Sequence, residues 1–189
     1  MRYHNNLDAL LKERHRTEAT QLDERRKKRH DELMESARTL MIEGRDDEAL
    51  AACEETLRVA PHSEQALLLA STLSSVRGRC RDGLSFALEM VQKNQEDPDG
   101  YYEVGMSLLD LGYPEEAIAW LSMGRLHTRD DDDELLDFFD AAEAEALALL
   151  ARYDDALSAL EEGHRARGDK LGLLEDAAAR VKSIGRHRC

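Results

Sequence analysis

A chain of 189 residues with a net charge of −14, and with Lys and Arg confined to 26 positions against 40 for Asp and Glu, is long enough to bury a core without disulfides or metal. Three prolines, few aromatics and an abundance of Ala, Leu, Glu, Asp and Arg favour helix throughout, because unbranched side chains lose little rotamer freedom there. Three cysteines (Cys53, Cys80, Cys189), odd in number and without CxxC spacing, argue against a disulfide framework and a zinc finger and point to a reducing cytoplasm.

The chain opens on MRYHNNLDALLKERH, which lacks the apolar core of a signal peptide. From about Asn5 to Arg29 the composition is helical, but the apolar positions Leu7, Leu10, Leu11, Ala19 and Leu22 are sparse among charges, so such a helix buries little by itself. Residues 1–30 hold nine Lys and Arg against five Asp and Glu, which leaves 17 against 35 for the rest. The body is therefore expected to repel nucleic acid. The basic run RRKKRH (25–30) has no interleaved aromatics and reads as a solvated helix face. The apolar runs ALLLA (66–70) and ALALLA (146–151) are too short to span a bilayer, so no membrane association is expected.

GRDDEAL (44–50) then opens a series that continues as GRCRDGL (78–84), GYPEEAI (112–118) and ARYDDAL (151–157). A shift of 34 places Gly44 on Gly78 and Gly112, Ala49 on Gly83 and Ala117, and Ala37 on Ser71 and Gly105. A shift of 39 carries Gly105 to Ala144, Gly112 to Ala151, Ala117 to Ala156 and Leu121 to Leu160, with five residues inserted in RDDDDE. Repetition at this length means stacked helical hairpins, none of which buries its apolar face alone. Gly44 is expected to end the first helix of its hairpin in left-handed geometry, and Asp46 to cap the second by accepting from its first-turn N–H groups. Ala37, Ser71, Gly105 and Ala144, facing Ala49, Gly83, Ala117 and Ala156, would let the paired backbones approach closely. Leu40, Leu57, Leu121 and Leu160 would fill the layer between hairpins, with Cys53 a small buried hydrophobe and Trp120 a packing residue.

This pattern resembles the tetratricopeptide repeat (TPR) family, whose 34-residue unit carries small residues at positions 8, 20 and 27, a large apolar residue at 24 and often proline at 32. With Pro61 fixing the phase, the units are 30–63, 64–97, 98–131 and 137–170; residues 1–29 form a charged N-terminal helix, and 171–189 a capping helix (LGLLEDAAARVKSI) with a basic tail. The third unit is the closest match, through Tyr101, Gly105, Leu108, Gly112, Ala117, Leu121 and Gly124, whereas Leu33, Leu67 and Asp140 stand where Trp is usual. The resemblance implies an all-α, right-handed solenoid of four hairpins with an added N-terminal helix and a C-terminal cap. It also implies a concave groove lined by Met34, Arg38, Met41, Leu68, Leu69, Thr72, Tyr102, Met106, Leu109, Phe138 and Ala141. TPR co-chaperones that clamp a C-terminal carboxylate use cations and Asn where this chain has Met34, Arg38, Leu69, Asp99 and Glu103, so that role is excluded.

No catalytic constellation accompanies the repeats. Seven histidines have no metal-ligand spacing, no phosphate-cradling glycine loop is present, and DDDDE (130–134) lacks the DxDxDG pattern of a calcium loop. The expectation is a non-enzymatic scaffold without cofactor or metal that binds an apolar peptide or helix of a partner protein. Two further readings are a chaperone similar to the class II chaperones of type III secretion, and a homo-oligomer assembled through residues 1–29.

Overall fold

The structure, a computed structural model, describes residues 23–129, 131–168 and 172–187 and contains nine helices and no strand among them. Most of the predicted N-terminal helix (5–29) therefore lies outside the described residues, as does Asp130. Two compact units divide the chain, one up to Ala66 and one from Leu67.

The first unit contains α1 (residues 23–42), α2 (Asp46–Val59) and the opening turn of α3 (Glu64–Val76). Its buried positions repeat with helical spacing, Leu33, Met34 and Ala37 on α1 and Ala49, Leu50, Cys53 and Thr56 on α2, so each helix turns one stripe inward. Residues 23–29, by contrast, are exposed on every side. The His30 ring shares a 2.8 Å hydrogen bond with Ser63 Oγ, and Arg38 Nη2 donates to Gln65 Oε1 at 2.8 Å, which ties α1 to the start of α3.

The second unit continues α3 and adds α4 (Cys80–Lys93), α5 (Pro98–Asp110), α6 (Pro114–His127), α7 (Asp133–Leu149), α8 (Tyr153–Arg167) and α9 (Leu173–His187). From α4 onward each helix packs on the next, while α5 also touches α7, and α7 touches α9. Alternate helices therefore form two layers, with α5, α7 and α9 in one. Apolar side chains join the layers: Leu109 packs with Ala117 and Ala146, and Leu121 with Phe139 and Ala142. Ala144, Leu147, Leu160, Leu174 and Val181 belong to a further cluster that α9 helps to close.

The four predicted turns share one geometry. Gly44, Gly78, Gly112 and Ala151 have φ of 72°, 70°, 81° and 60°. In the first, Gly44 N–H donates to Met41 O and Arg45 N–H to Leu40 O; the same two bonds recur at Gly78, Gly112 and Ala151. This is the Schellman ending of a helix, which requires a left-handed residue at that position.

The expected cap by Asp46 is not formed. The structure places Arg45 at the N-cap of α2 with no side-chain cap bond, and makes Asp46 the first helical residue. The reason is geometric: Arg45 N–H is already bound to Leu40 O, so the next helix starts immediately after the turn closes. The guanidinium instead reaches the acid three residues on, Arg45 to Glu48 at 2.8 Å, and the pattern returns as Arg79 to Asp82 at 2.8 Å and Arg152 to Asp155 at 2.7 Å. After the insertion, Asp132 caps α7 by accepting from Leu135 N–H at 3.2 Å.

Candidate protein-binding face

One stripe of α5 combines apolar and acidic side chains. Asp99, Glu103, Met106 and Asp110 follow each other at four-, three- and four-residue steps, with Tyr102 three residues after Asp99 and four before Met106, which places them on one side of the helix. Asp97 starts α5 by accepting from Asp99 N–H at 3.1 Å, with Pro98 at the first helical position, and so fixes where the stripe begins. Tyr102 stands edge-on to both Phe138 and Phe139, with ring centroids 6.0 and 5.5 Å apart, so the rings of α5 and α7 hold each other in place. Met106 packs partly on Leu121 and Phe139 and remains half-buried, as do Tyr102 and Phe138.

Neighbouring α3 joins this face through Thr72, whose hydroxyl lies 3.0 Å from Leu68 O and 3.3 Å from Glu103 Oε1. Leu68 and Leu69 are half-buried beside it in the sequence. The structure thus brings Thr72, Tyr102 and Phe138 together around Glu103 and Met106. Leu109, expected on the same face, is only 7% exposed and belongs to the core with Ala117 and Ala146; Ala141 is likewise buried. In the first unit, Met34 is 2% exposed, Met41 is 40% exposed, and Arg38 is engaged by Gln65.

The electrostatics of the α5 stripe are one-sided. Glu103 is 9% exposed, and burial pushes its carboxyl above the ordinary range despite hydrogen bonds from Ser71 and Thr72; Asp99 and Asp110 push it further. Burial also raises Asp99, with Asp97 and Asp132 adding repulsion. The Tyr102 phenol is pushed up to about 12, first by burial and then by Glu103 and Glu145, with Arg180 acting in the opposite sense. Among the described residues, neither Asp99 nor Glu103 forms an ion pair.

A second charged group, not anticipated from the sequence, is fully paired. Asp137 and Asp140 on α7 are buried, and Arg167 of α8 donates from Nε and Nη2 to Asp137 Oδ1 at 3.0 and 2.9 Å. Arg167 and Arg125 of α6 both also bind the Asp140 carboxylate. Burial alone would lower the Arg167 guanidinium, but the bonds to Asp140 and Asp137 outweigh it and hold the group above its ordinary range. The available signal was Asp140 itself, a carboxylate where the TPR pattern has an aromatic.

Among the described residues, no group of three or more His, Cys, Asp and Glu could hold a metal, and no helix is long and apolar enough to cross a membrane. Burial pushes the Cys53 thiol up to about 11, which disfavours the reactive thiolate. A cleft of about 470 Å³ between α8 and α9, lined by Leu157, Leu160, Leu174 and Ala178, contains none of the predicted site residues.

No protein-family model matches the sequence, and no curated protein matches it either. Solved structures do. A thermophilic TPR protein of Thermus thermophilus is similar at a TM-score of 0.70 and 20% identity, over 83% of this chain and 84% of that one. A tetratricopeptide repeat protein from Parabacteroides merdae gives 0.70 and 14% identity, over 84% of this chain and 60% of that one. YrrB, described as a TPR protein with an unusual peptide-binding site, gives 0.55 and 17% identity over 82% and 89%. The likeness establishes the fold: the chain is built as tetratricopeptide-repeat proteins are.

Proposed function

We propose that the protein is a non-enzymatic interaction scaffold that receives an apolar segment of a partner protein on the face formed by α3, α5 and α7. The observation that carries this reading is the half-burial of Tyr102, Met106 and Phe138. These large side chains are anchored by ring contacts on one side and open on the other, and lie on consecutive helices of one layer. Such rigid aromatic anchors beside an adaptable methionine are the groups that carry binding energy in protein interfaces. Leu68 and Leu69 extend the apolar surface along α3. YrrB, with its peptide-binding site, is a precedent for such use of the fold.

Affinity capture from the native cell with the full chain, compared with Leu69→Glu and Met106→Glu variants of unchanged helical content, tests the assignment. Proteins retained by the wild type should be lost from both variants, because a carboxylate at either position would have to be desolvated against an apolar ligand. Retention of the same partners by both folded variants would remove the face from consideration.

A further inference from the structure

Resting on that reading, we infer that the segment received on this face carries a lysine or arginine, whose cation sits against Asp99 and Glu103 while its apolar neighbours cover Tyr102, Met106 and Phe138. The occupant is thus a basic, apolar stretch of another protein. Glu103 carries the argument furthest. The residue is nine-tenths buried, and the hydroxyls of Ser71 and Thr72 are neutral donors that do not cancel its charge. A buried charge without a counter-charge is costly, and a cation arriving with the ligand would remove that cost at the moment of binding.

The acidic neighbours sharpen the preference. Asp99 lies one helical turn before Glu103 and Asp110 two turns after it, and both repel the Glu103 charge. Asp97 and Asp132 act in the same way on Asp99, and Glu145 on the Tyr102 phenol. Among the described residues, Arg180 acts in the opposite sense, at Tyr102. A ligand carboxylate would meet this field as repulsion, whereas a lysine or arginine would meet two carboxylates that lack an ion-pair partner among the described residues. The same field excludes an apolar segment with acidic flanks, so the face discriminates by charge and not by apolar area alone.

A random twelve-residue peptide library displayed on phage, selected against the full wild-type chain, reads this directly. Selected peptides should combine apolar residues with at least one Lys or Arg, and replacing that cation by norleucine should weaken binding about tenfold or more, the equivalent of one charge-assisted contact. Glu103→Gln, which keeps the hydrogen bonding, and Asp99→Asn, which is more exposed, should each reduce the preference for Lys and Arg while apolar residues are still selected. Apolar peptides without basic residues, bound equally by wild type and both variants, would overturn this inference and leave the groove reading standing. Peptides that bind Tyr102→Ala and Phe138→Ala as well as wild type, or no selection at all, would overturn the groove reading itself. A concentration-dependent dimer of the chain that selected peptides dissociate would assign the face to a second copy and overturn the foreign partner.

Discussion

Asp140→Asn tests whether the paired charges between α6, α7 and α8 hold this part of the molecule together. Asn is nearly isosteric, so no cavity is created, but its amide offers one acceptor where two guanidinium groups donate. Arg125 is 40% exposed at its side chain, so water takes over much of its lost bond and its share is small. Arg167 is 12% exposed and keeps only Asp137, so its excess charge is left in a poorly solvated place. Losing one charge-assisted bond to a buried group costs about 1.5–3 kcal/mol, and removing one partner of a buried pair up to about 5. Because one carboxylate remains, the expected loss is about 2–4 kcal/mol, roughly 5–15 °C in melting temperature for a chain of this size. Urea denaturation followed by circular dichroism measures it, with Arg152→Ala as the control, since that arginine pairs with Asp155 on the exposed surface, where both side chains are more than half exposed. A midpoint for Asp140→Asn that matches the control would refute the claim that this network is structural.

Two further predictions concern single positions. Ala151 is the one non-glycine residue in the described chain with positive φ, at 60°, in a turn where the other three hairpins have glycine. Ala151→Gly should therefore stabilise the protein by about 0.5–1 kcal/mol, the left-handed cost less the extra freedom of glycine in the unfolded chain. A lower melting temperature for this variant would refute the strain at that turn. Glu103 has a folded-state value above its ordinary 4.5, so the native state binds its proton more tightly than the unfolded state does. Its destabilising effect is then absent below pH 4.5 and grows as pH rises until it is complete above the folded-state value. Relative to wild type, Glu103→Gln should show a melting-temperature advantage that is smallest near pH 4 and largest at pH 7, and a pH-independent difference would contradict the burial argument.

The parts of this structure that were legible in the sequence are those where one backbone requirement acts on one residue. The Schellman turn demands a left-handed residue, and glycine meets that demand so well that Gly44, Gly78 and Gly112 mark the period; Ala151 was then found by register alone. Side-chain destinations were less legible. Leu109 follows Tyr102 by seven residues and Met106 by three, so periodicity places all three on one side of α5. Yet Leu109 alone turns fully into the core, because Ala117 and Ala146 are small enough to leave it space. That space is a property of two other helices and has no signature near residue 109. The arginine at the start of α2, α4 and α8 was visible as a repeated letter, but its partner three residues on becomes meaningful only once the helix is known to begin directly after the turn.

The fourth hairpin departs from the third by an exchange of ring volume for paired charge. In the third, Tyr101 stacks on His127 at 5.1 Å and lies 5.8 Å from Trp120, so three rings fill the junction of α5 and α6. The shift of 39 carries these positions to Asp140, Ala166 and Ala159, and the ring volume vanishes from all three at once. Arg125 and Arg167 extend into the vacated space and bring their charges to Asp140, and what they leave open is a pocket of about 260 Å³ lined in part by Ala159, Ala166 and Gly163. A similar exchange occurs between hairpins. Met90 and Gly124 are equivalent, as are Gly100 and Phe139, so large meets small at both junctions from opposite sides. A Cβ on Gly100 would come within 3.2 Å of Met90 Cβ, and one on Gly124 within 2.7 Å of the Phe139 ring. Close packing conserves the summed volume at a crossing and not the residue on either helix. Identity therefore decays quickly between repeats while the backbone geometry persists. The same decay accounts for a chain that no family model matches yet whose fold aligns with TPR structures at 14–20% identity.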